Sequence, residues 1–473
     1  ALDEFIYLRS IFENLKSEFK NKNKGPKYNF DKLAIKTFVS SLPFKLTNSQ
    51  VEAYKEILGD LENDYPMKRL LQGDVGSGKT VVAAISIFAV IKSGYQVAFM
   101  APTEVLAEQH LNSLIKFLRE TDIQINFLTS SVKNRIDVMA NITEGTPGLY
   151  IGTHALIQDK IHFTNLGLVI IDEQQRFGVD QRKKLISDIE VIPDQLVMTA
   201  TPIPRTTALS IYGDLDISSI NELPPGRKKI ISHLYSGLKE DNQKVYEKCL
   251  KHLEDKSQIF VVCPYIEESD TNDIQAAEKV YLEYSKKFVN YNVVLLHGKM
   301  PYEDKEKIMN EMQNGTIDIL ISTVVIEVGI DIANATLMVI ESAERFGLNQ
   351  LHQLRGRVGR GEKQSECIFH ITNKKSLKTI SEDGVMRLRA ISSMSDGFKL
   401  SEIDLEIRGE GKVTGKSQSG RSDLKIADLR YDYDLLVQSK KIHDGIKSKE
   451  TSSQVFEEAK LLFPKYFEAD GTT

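Results

Sequence analysis

The sequence predicts an α/β protein with two parallel-sheet domains in tandem and a small helical region after them. Short apolar segments alternate with helical ones along most of the chain, a pattern typical of parallel sheets with helices on both faces. The alternation is interrupted at residues 222–227, where two prolines and a glycine give the composition of a linker. The chain has 473 residues, more than a single hydrophobic core usually organises.

Composition is that of an ordinary soluble globular protein, because 41% of the residues are hydrophobic and 27% are charged. The three cysteines have no CxxC spacing, which predicts neither a zinc site nor a disulfide framework and fits a cytoplasmic location. The sequence contains no membrane-spanning apolar run and no signal peptide, so we expect no membrane association. The net charge of −5 argues against a globally basic nucleic-acid binder but permits a local basic groove. The chain begins within a helical pattern, so we expect it to be part of a longer protein.

Residues 73–80 match the P-loop pattern G-x-x-x-x-G-K-[ST]. An apolar strand precedes the match and a strongly apolar helix follows it, which is the context the motif requires. Glycines allow backbone N–H groups to surround the β-phosphate of ATP, while Lys79 is predicted to reach the β- and γ-phosphates and act in catalysis. Thr80 is predicted to give its hydroxyl to Mg²⁺. The predicted cofactors are therefore ATP and Mg²⁺, and the predicted nucleotide-binding residues of the loop are Gly73, Asp74, Val75, Gly76, Ser77, Gly78, Lys79 and Thr80.

An aromatic and an amide residue lie upstream of this loop. Phe44 and Gln50 are suited to stack on adenine and to hydrogen-bond its edge. Gln50 also follows Thr47 by three residues, the spacing of a helix-capping box. The two interpretations are compatible.

The predicted strands of the first domain end in polar residues, as expected where parallel strands present their carboxyl ends to a ligand. These strands lie at 67–71, 95–100, 125–128, 148–151, 166–171 and 196–202. The most apolar one runs into Asp172 and Glu173, which beside a P-loop are expected to hold Mg²⁺ and to polarise the attacking water. An exposed acidic turn is the alternative. Thr199 and Thr201 are expected either to sense the γ-phosphate or to form the turn before Pro202.

The second domain has predicted strands at 257–265, 293–298, 317–323 and 336–340 but no P-loop. We therefore expect it to supply a cation to the phosphates. Arg357 and Arg360 are the candidates, because arginines among small residues make a poor core and suit stabilisation of the transition state. Asp331 is a candidate for a ribose hydroxyl, and Thr323 for a nucleic-acid phosphate.

The segment 396–420 departs from the α/β pattern. A helix predicted to end at Arg408 is followed by a loop rich in glycine, serine and lysine. Arg387, Arg408 and Gln418 give this region polar reach, and on the residues alone they can be surface residues of a helical cap.

Together these segments resemble a superfamily 2 DNA helicase. Residues 172–179, 344–348 and 396–420 in particular resemble the RecG family, and the shared helicase motifs are matched at 42–50, 73–80, 101–104, 172–175, 199–202, 323–331 and 353–360. The resemblance implies two RecA-like domains, with the chain divided into 1–41, 42–222, 223–375 and 376–473. It also implies that residues 396–420 move duplex DNA, and that contacts with DNA or coupling involve Thr103, Thr153, Thr199, Thr201, Thr323, Arg387, Arg408 and Gln418.

The function implied by the resemblance is ATP-driven remodelling of branched double-stranded DNA, such as stalled forks and Holliday junctions, in recombination and repair. It further implies a monomer with single-stranded-DNA-binding protein as a candidate partner. The sequence has Gln175 where the family usually has histidine, and we expect the family's N-terminal wedge domain to be absent apart from its last helix. The alternatives are a transcription-repair coupling translocase, which shares the motor, and a P-loop ATPase that is not a motor.

Overall fold

The computed structural model describes residues 1–129, 135–157, 161–173, 191–201, 215–224, 228–264, 270–323, 332–359, 361–371, 376–408, 426–427, 432–446 and 451–464. The chain divides into two compact units. The first comprises Ala1–Leu223 together with Arg408–Thr473, and the second comprises Pro224–Ile407. Within the described ranges, no helix combines the length and apolar character needed to cross a membrane.

The first unit contains a seven-stranded sheet in which every pairing is parallel. Its order is β3-β4-β2-β5-β6-β1-β7. The strands are β1 Lys68–Gly73, β2 Gln96–Met100, β3 Ile125–Leu128, β4 Gly148–Gly152, β5 Leu166–Asp172, β6 Asp194–Thr199 and β7 Asp216–Ile220. Among the described residues, the α-helices before and between them are α1 Leu2–Lys22, α2 Lys32–Ser41, α3 Asn48–Leu61, α4 Lys79–Lys92, α5 Glu104–Leu118 and α6 Arg135–Thr143.

Two apolar elements form the centre of this unit. All seven residues of β5 are buried, as expected for a central strand covered on both faces. Helix α4 is buried continuously from Val81 to Ile91, which explains why its sequence is apolar on every side. Because α4 begins at Lys79, this buried helix holds the P-loop rigidly against the sheet.

A buried carboxyl group ties the segment before the sheet to the amino-terminal edge of β6. Tyr28 Oη lies 2.6 Å from Asp194 Oδ2 and 2.8 Å from the carbonyl oxygen of Gly167. The tyrosine has one proton for two acceptors, so a protonated Asp194 that donates to Tyr28 satisfies all three groups. Burial raises the pKa of Asp194 to about 7, although the contacts from Tyr28 and from the Met67 N–H act in the opposite direction.

We predict that Asp194 lowers stability as the pH rises. Its pKa is higher in the folded protein than the ordinary 3.8, so its favourable contribution is complete below about pH 4 and is lost as the pH passes about 7. Relative to wild type, Asp194→Asn should gain unfolding free energy, on the order of a few kcal/mol, between about pH 4 and about pH 8. Urea unfolding at several pH values measures this difference, with Asp64→Asn as a control at an exposed position. A difference that does not change with pH would contradict the prediction.

Helix α1 packs against the last two helices of the described ranges, α13 Tyr433–Ile446 and α14 Thr451–Leu462. Arg9 donates to Ser439 Oγ at 2.9 Å, and Tyr7 donates to Glu458 at 2.6 Å. The sequence-based division places residues 1–41 and the C-terminal helices in separate segments. That division stays a prediction. In the structure, both segments belong to the same compact unit as the first sheet.

The second unit contains a six-stranded parallel sheet of order β10-β11-β9-β12-β13-β8. Its strands are β8 Ile231–Tyr235, β9 Gln258–Cys263, β10 Val293–Leu296, β11 Ile319–Thr323, β12 Ala335–Glu341 and β13 Glu366–His370. Its helices are α7 Lys239–Glu254, α8 Asp270–Lys287, α9 Tyr302–Gln313, α10 Leu348–Arg355 and α11 Glu382–Ser393, and α12 Gly397–Arg408 follows them.

The predicted fold class is confirmed, and each of the predicted strands is present. Three further strands, β7, β8 and β13, were not predicted. β7 and β8 are edge strands, and most of their residues are only partly buried. Their mixed polar sequences therefore lack the apolar run by which the other strands were recognised.

Candidate nucleotide-binding site

The register of the first sheet brings four polar strand ends to one edge. Met100 pairs with Ile171, Asp172 pairs with Met198, and Thr199 pairs with Gln72. Because all these strands are parallel, the segments that follow them leave the sheet at the same level. The P-loop, the segment 101–104, the acidic pair and the segment 199–201 therefore meet along the carboxyl edge.

The P-loop has the backbone of a phosphate-binding loop. Gly76 and Gly78 have φ values of 75° and 88°, in the left-handed region that glycine adopts without strain. A Cβ atom on Gly78 would also overlap the side-chain amide of Gln50. Lys79 Nζ donates to the carbonyl oxygens of Gly73 and Asp74, at 2.8 and 3.0 Å, which holds the ammonium over the loop.

These residues fit a nucleotide phosphate with Mg²⁺. The loop provides glycine backbone at the first turn of α4, where backbone N–H groups and the helix dipole attract an anion. Thr80 is the second residue of that helix and offers a hydroxyl oxygen, and Asp172 offers a carboxylate. Oxygen donors of this kind are those that Mg²⁺ prefers.

Gln50 connects the predicted adenine-binding segment to the P-loop. Its Oε1 accepts from the Thr47 N–H at 2.9 Å, and Thr47 Oγ1 accepts from the Gln50 N–H, so the predicted capping box is confirmed. Its Nε2 donates to the Ser77 carbonyl at 2.8 Å. Phe44 is 43% exposed and makes an edge contact with Phe117, with 5.9 Å between ring centroids. Adenine binding by Phe44 and Gln50 stays a prediction.

Asp172 is a buried carboxylate held by a histidine. Asp172 Oδ2 lies 2.7 Å from His110 Nε2. Burial alone would raise the pKa of Asp172, but His110 and then Lys79 outweigh it, and the pKa lies below its ordinary value. Asp172 is therefore ionised at neutral pH, as a metal-binding carboxylate must be.

Glu173 is turned toward the end of the neighbouring strand. Its φ of 51° is left-handed, which costs a residue with a side chain about 1–3 kcal/mol. In this conformation Glu173 Oε1 accepts from the Ala200 N–H at 2.9 Å. The hydroxyl groups of Thr199 and Thr201 lie 2.8 Å apart on either side of Ala200. The second acid is thus linked directly to the segment predicted to relay the state of the γ-phosphate.

Two threonines predicted to contact DNA lie in the first unit at the same edge. Thr103 caps α5, accepting from the Leu106 N–H, and remains partly accessible. Thr153 follows β4 and is 2% exposed, and its hydroxyl has no hydrogen-bond partner among the described residues. Contacts of both residues with DNA stay predictions.

In the second unit, Thr323 ends β11 and is 1% exposed. Arg357 is half-buried just beyond the end of α10. Arg387 Nη1 donates to the Phe346 carbonyl at 3.2 Å, which ties α11 to the loop before α10. Asp331, Arg360, Gln418 and the side chain of Arg408 lie outside the described residues.

Three family models match this chain. A DEAD/DEAH box helicase model matches residues 47–209, and a helicase conserved C-terminal domain matches residues 241–362. The model of domain 3, C-terminal, of the ATP-dependent DNA helicase RecG matches residues 394–468. The RecG of Aquifex aeolicus (strain VF5) is 47% identical over 467 residues, which are 98% of this chain and 58% of that protein. This chain belongs to the RecG family.

Other RecG proteins agree with this assignment. The RecG of Bacillus subtilis (strain 168) is 46% identical over 435 residues, which cover 91% of this chain and 62% of that protein. A solved structure of RecG bound to a three-way DNA junction is similar with a TM-score of 0.73 and 40% identity, covering 92% of this chain and 56% of the other. The chain thus spans little more than half the length of these RecG relatives. The helicase Lhr of Mycobacterium smegmatis, at 16% identity and a TM-score of 0.58, shares the fold alone, over 78% of this chain and 50% of its own.

Sequence reasoning missed two residues of this RecG-family chain. His110 lies about two helical turns after Thr103, a spacing that places it on the same side of α5 as Thr103. Arg355 lies in the same segment, 353–360, as Arg357 and Arg360, but the sequence indicated no role for it. It is 3% exposed, and its guanidinium donates to the carbonyl oxygens of Ile391 and Met394 at 2.7 and 2.6 Å, where α11 ends. These carbonyls provide the partners that a buried arginine requires, and they anchor α10 to α11.

Proposed function

We propose that this chain is an ATP-driven DNA motor, which hydrolyses ATP with Mg²⁺ and uses the energy to move on double-stranded DNA and remodel branched DNA. The observation that carries the proposal is the convergence of the P-loop, Asp172, Glu173 and Ala200 at one sheet edge. The proposal also draws on the family, whose relatives are ATP-dependent DNA helicases. The branched substrate is inferred from the RecG that binds a three-way DNA junction.

We assign one role to each proposed site residue. The P-loop backbone binds the β-phosphate, and Lys79 places its charge on the β- and γ-phosphates. Thr80 and Asp172 would hold Mg²⁺, and the ion would supply positive charge that offsets the charge of the phosphates. Glu173 accepts a hydrogen bond from the attacking water and so orients it toward the γ-phosphorus. Arg357 and Arg360 stabilise the charge that develops in the transition state.

In this arrangement, loss of the γ-phosphate can affect the end of β6 through one hydrogen bond. The Glu173 carboxylate accepts from the Ala200 N–H through Oε1, so a shift of this side chain as it engages water would change that hydrogen bond. The segment 199–201 therefore responds to the chemical step, and its hydroxyls are available to pass that response to DNA. The roles of Arg387, Arg408 and Gln418 in coupling, a monomeric state, single-stranded-DNA-binding protein as partner and a cytoplasmic location stay predictions from the family resemblance.

The steady-state ATPase rate with different DNAs tests the proposal. We expect the rate to rise with duplex DNA and with a three-way junction, and to require Mg²⁺. Single-stranded DNA of the same length is the comparison, and it should stimulate less. An ATPase that is insensitive to every DNA would instead support a P-loop ATPase that is not a motor.

A further inference from the structure

A histidine on helix α5 contacts the acid that is proposed to hold Mg²⁺. His110 Nε2 lies 2.7 Å from Asp172 Oδ2, and both side chains are nearly buried, with 12% and 11% of their surfaces exposed. The contact joins two separate elements, since His110 is on α5 and Asp172 ends β5. None of the helicase motifs matched above includes His110.

The position of the His110 ring is fixed from a second side. It packs on Phe99, with 4.6 Å between ring centroids and an interplanar angle of 47°. Phe99 is fully buried in β2, which pairs with β5. The imidazole is thus held between the strand beside Asp172 and Asp172 itself, and its direction is set by the sheet.

The hydrogen bond has a definite polarity. A carboxylate that binds a cation is ionised and only accepts, so in the cation-binding state His110 donates through Nε2–H. The bond engages Oδ2 and sets the direction of the carboxylate toward a cation or its bound water. Without His110, only the charge of Lys79 and a backbone hydrogen bond from Glu173 would, among the described residues, offset the burial of the Asp172 carboxylate.

We propose that His110 is a positioning residue, which orients the Asp172 carboxylate for the binding of Mg²⁺ with nucleotide. The inference rests on the proposed function, because it takes Asp172 as the Mg²⁺ residue. Hydrogen-bond partners of metal-binding carboxylates typically change metal affinity or activity by about 10- to 100-fold when they are removed. His110 makes no contact with the nucleotide in this account and acts only through Asp172.

Two substitutions separate the hydrogen bond from the packing. His110→Phe keeps an aromatic ring against Phe99 but removes the donor. His110→Gln places an amide nitrogen near the position of Nε2 and keeps the donor. The probe is a fluorescent ADP analogue, titrated at a series of Mg²⁺ concentrations without DNA, so that no turnover is involved.

We expect the Mg²⁺ concentration for half-maximal ADP binding to rise about 10- to 100-fold in His110→Phe. His110→Gln should remain within about threefold of wild type, and ADP binding in EDTA should be unchanged in both variants. Asp172→Asn should show the same defect, and the double variant with His110→Phe should be no worse than Asp172→Asn alone, because the two residues act as one unit.

Four results would overturn the inference. Three concern the variants: a His110→Phe variant that behaves as wild type, equal loss in the Phe and Gln variants, and effects of His110 and Asp172 that multiply. If His110→Phe does not fold, as judged by its thermal unfolding, His110→Leu serves as the variant without a donor. Failure of the proposed function can be told apart from failure of this inference. An ATPase rate that does not respond to DNA would contradict the proposed motor but would leave these Mg²⁺ titrations interpretable. ADP binding by wild type that does not depend on Mg²⁺ would also overturn the inference.

Discussion

Lys79→Ala should lower the kcat for ATP hydrolysis by about 100- to 1,000-fold, the usual cost of removing one group that stabilises a transition state. The ammonium of Lys79 lies over the P-loop, where it donates to the carbonyl oxygens of Gly73 and Asp74. Its removal takes away the positive charge that we propose acts on the β- and γ-phosphates. The rate is measured with duplex DNA and Mg²⁺ at saturating ATP.

Lys92→Ala is the matched control for this substitution. Lys92 is in the last turn of the same helix, and its side chain is an exposed partner of Asp122. Such surface pairs contribute about 0–1 kcal/mol, so both stability and ATPase rate should stay close to wild type. The P-loop assignment fails if Lys79→Ala hydrolyses ATP at the wild-type rate while remaining folded.

Arg357→Ala should lower kcat by about 1,000- to 100,000-fold, the range over which an arginine finger acts. The KM for ATP should change little, because the charge that this arginine is predicted to stabilise develops only in the transition state. Steady-state kinetics over a range of ATP concentrations, in the presence of duplex DNA, separate the two parameters.

Two further variants make the Arg357 result specific. Arg357→Lys keeps the charge but loses the planar fork, so we expect an intermediate kcat. Lys251→Ala removes an exposed cation of the same unit and should leave the kinetics unchanged. If Arg357→Ala raises KM and leaves kcat intact, the residue binds the ground state, and the arginine-finger assignment is wrong.

The agreement between predicted and observed strands has a local cause. A central strand of a parallel sheet is covered on both faces, so its residues are uniformly apolar, as in β5. The polar residues then begin where the strand ends. Asp172 and Thr199 stand at such boundaries, and their places at the sheet edge could therefore be predicted without knowing the strand order.

Elements stabilised by distant partners carried no such local signal. Strand β13 begins at Glu366 and ends at His370, two polar residues that interrupt an apolar pattern. Both are satisfied by other elements, because Glu366 accepts from Lys248 at 2.6 Å and His370 lies 2.6 Å from Glu341. Partners that lie this far apart along the chain cannot be deduced from one sequence.

By itself, the sequence determined the two parallel sheets, the P-loop and the acidic pair, because each depends on residues that are neighbours along the chain. Only the tertiary structure decided which groups form hydrogen bonds with the two acids, Asp172 and Glu173. His110 reaches Asp172 from another element, and the Ala200 N–H reaches Glu173 because β5 and β6 are adjacent and in register. The structure also decided that Arg355 is an anchor between two helices, since a buried guanidinium is defined by the carbonyl groups around it. Those partners depend on strand order and helix packing, which only folding of the whole chain sets.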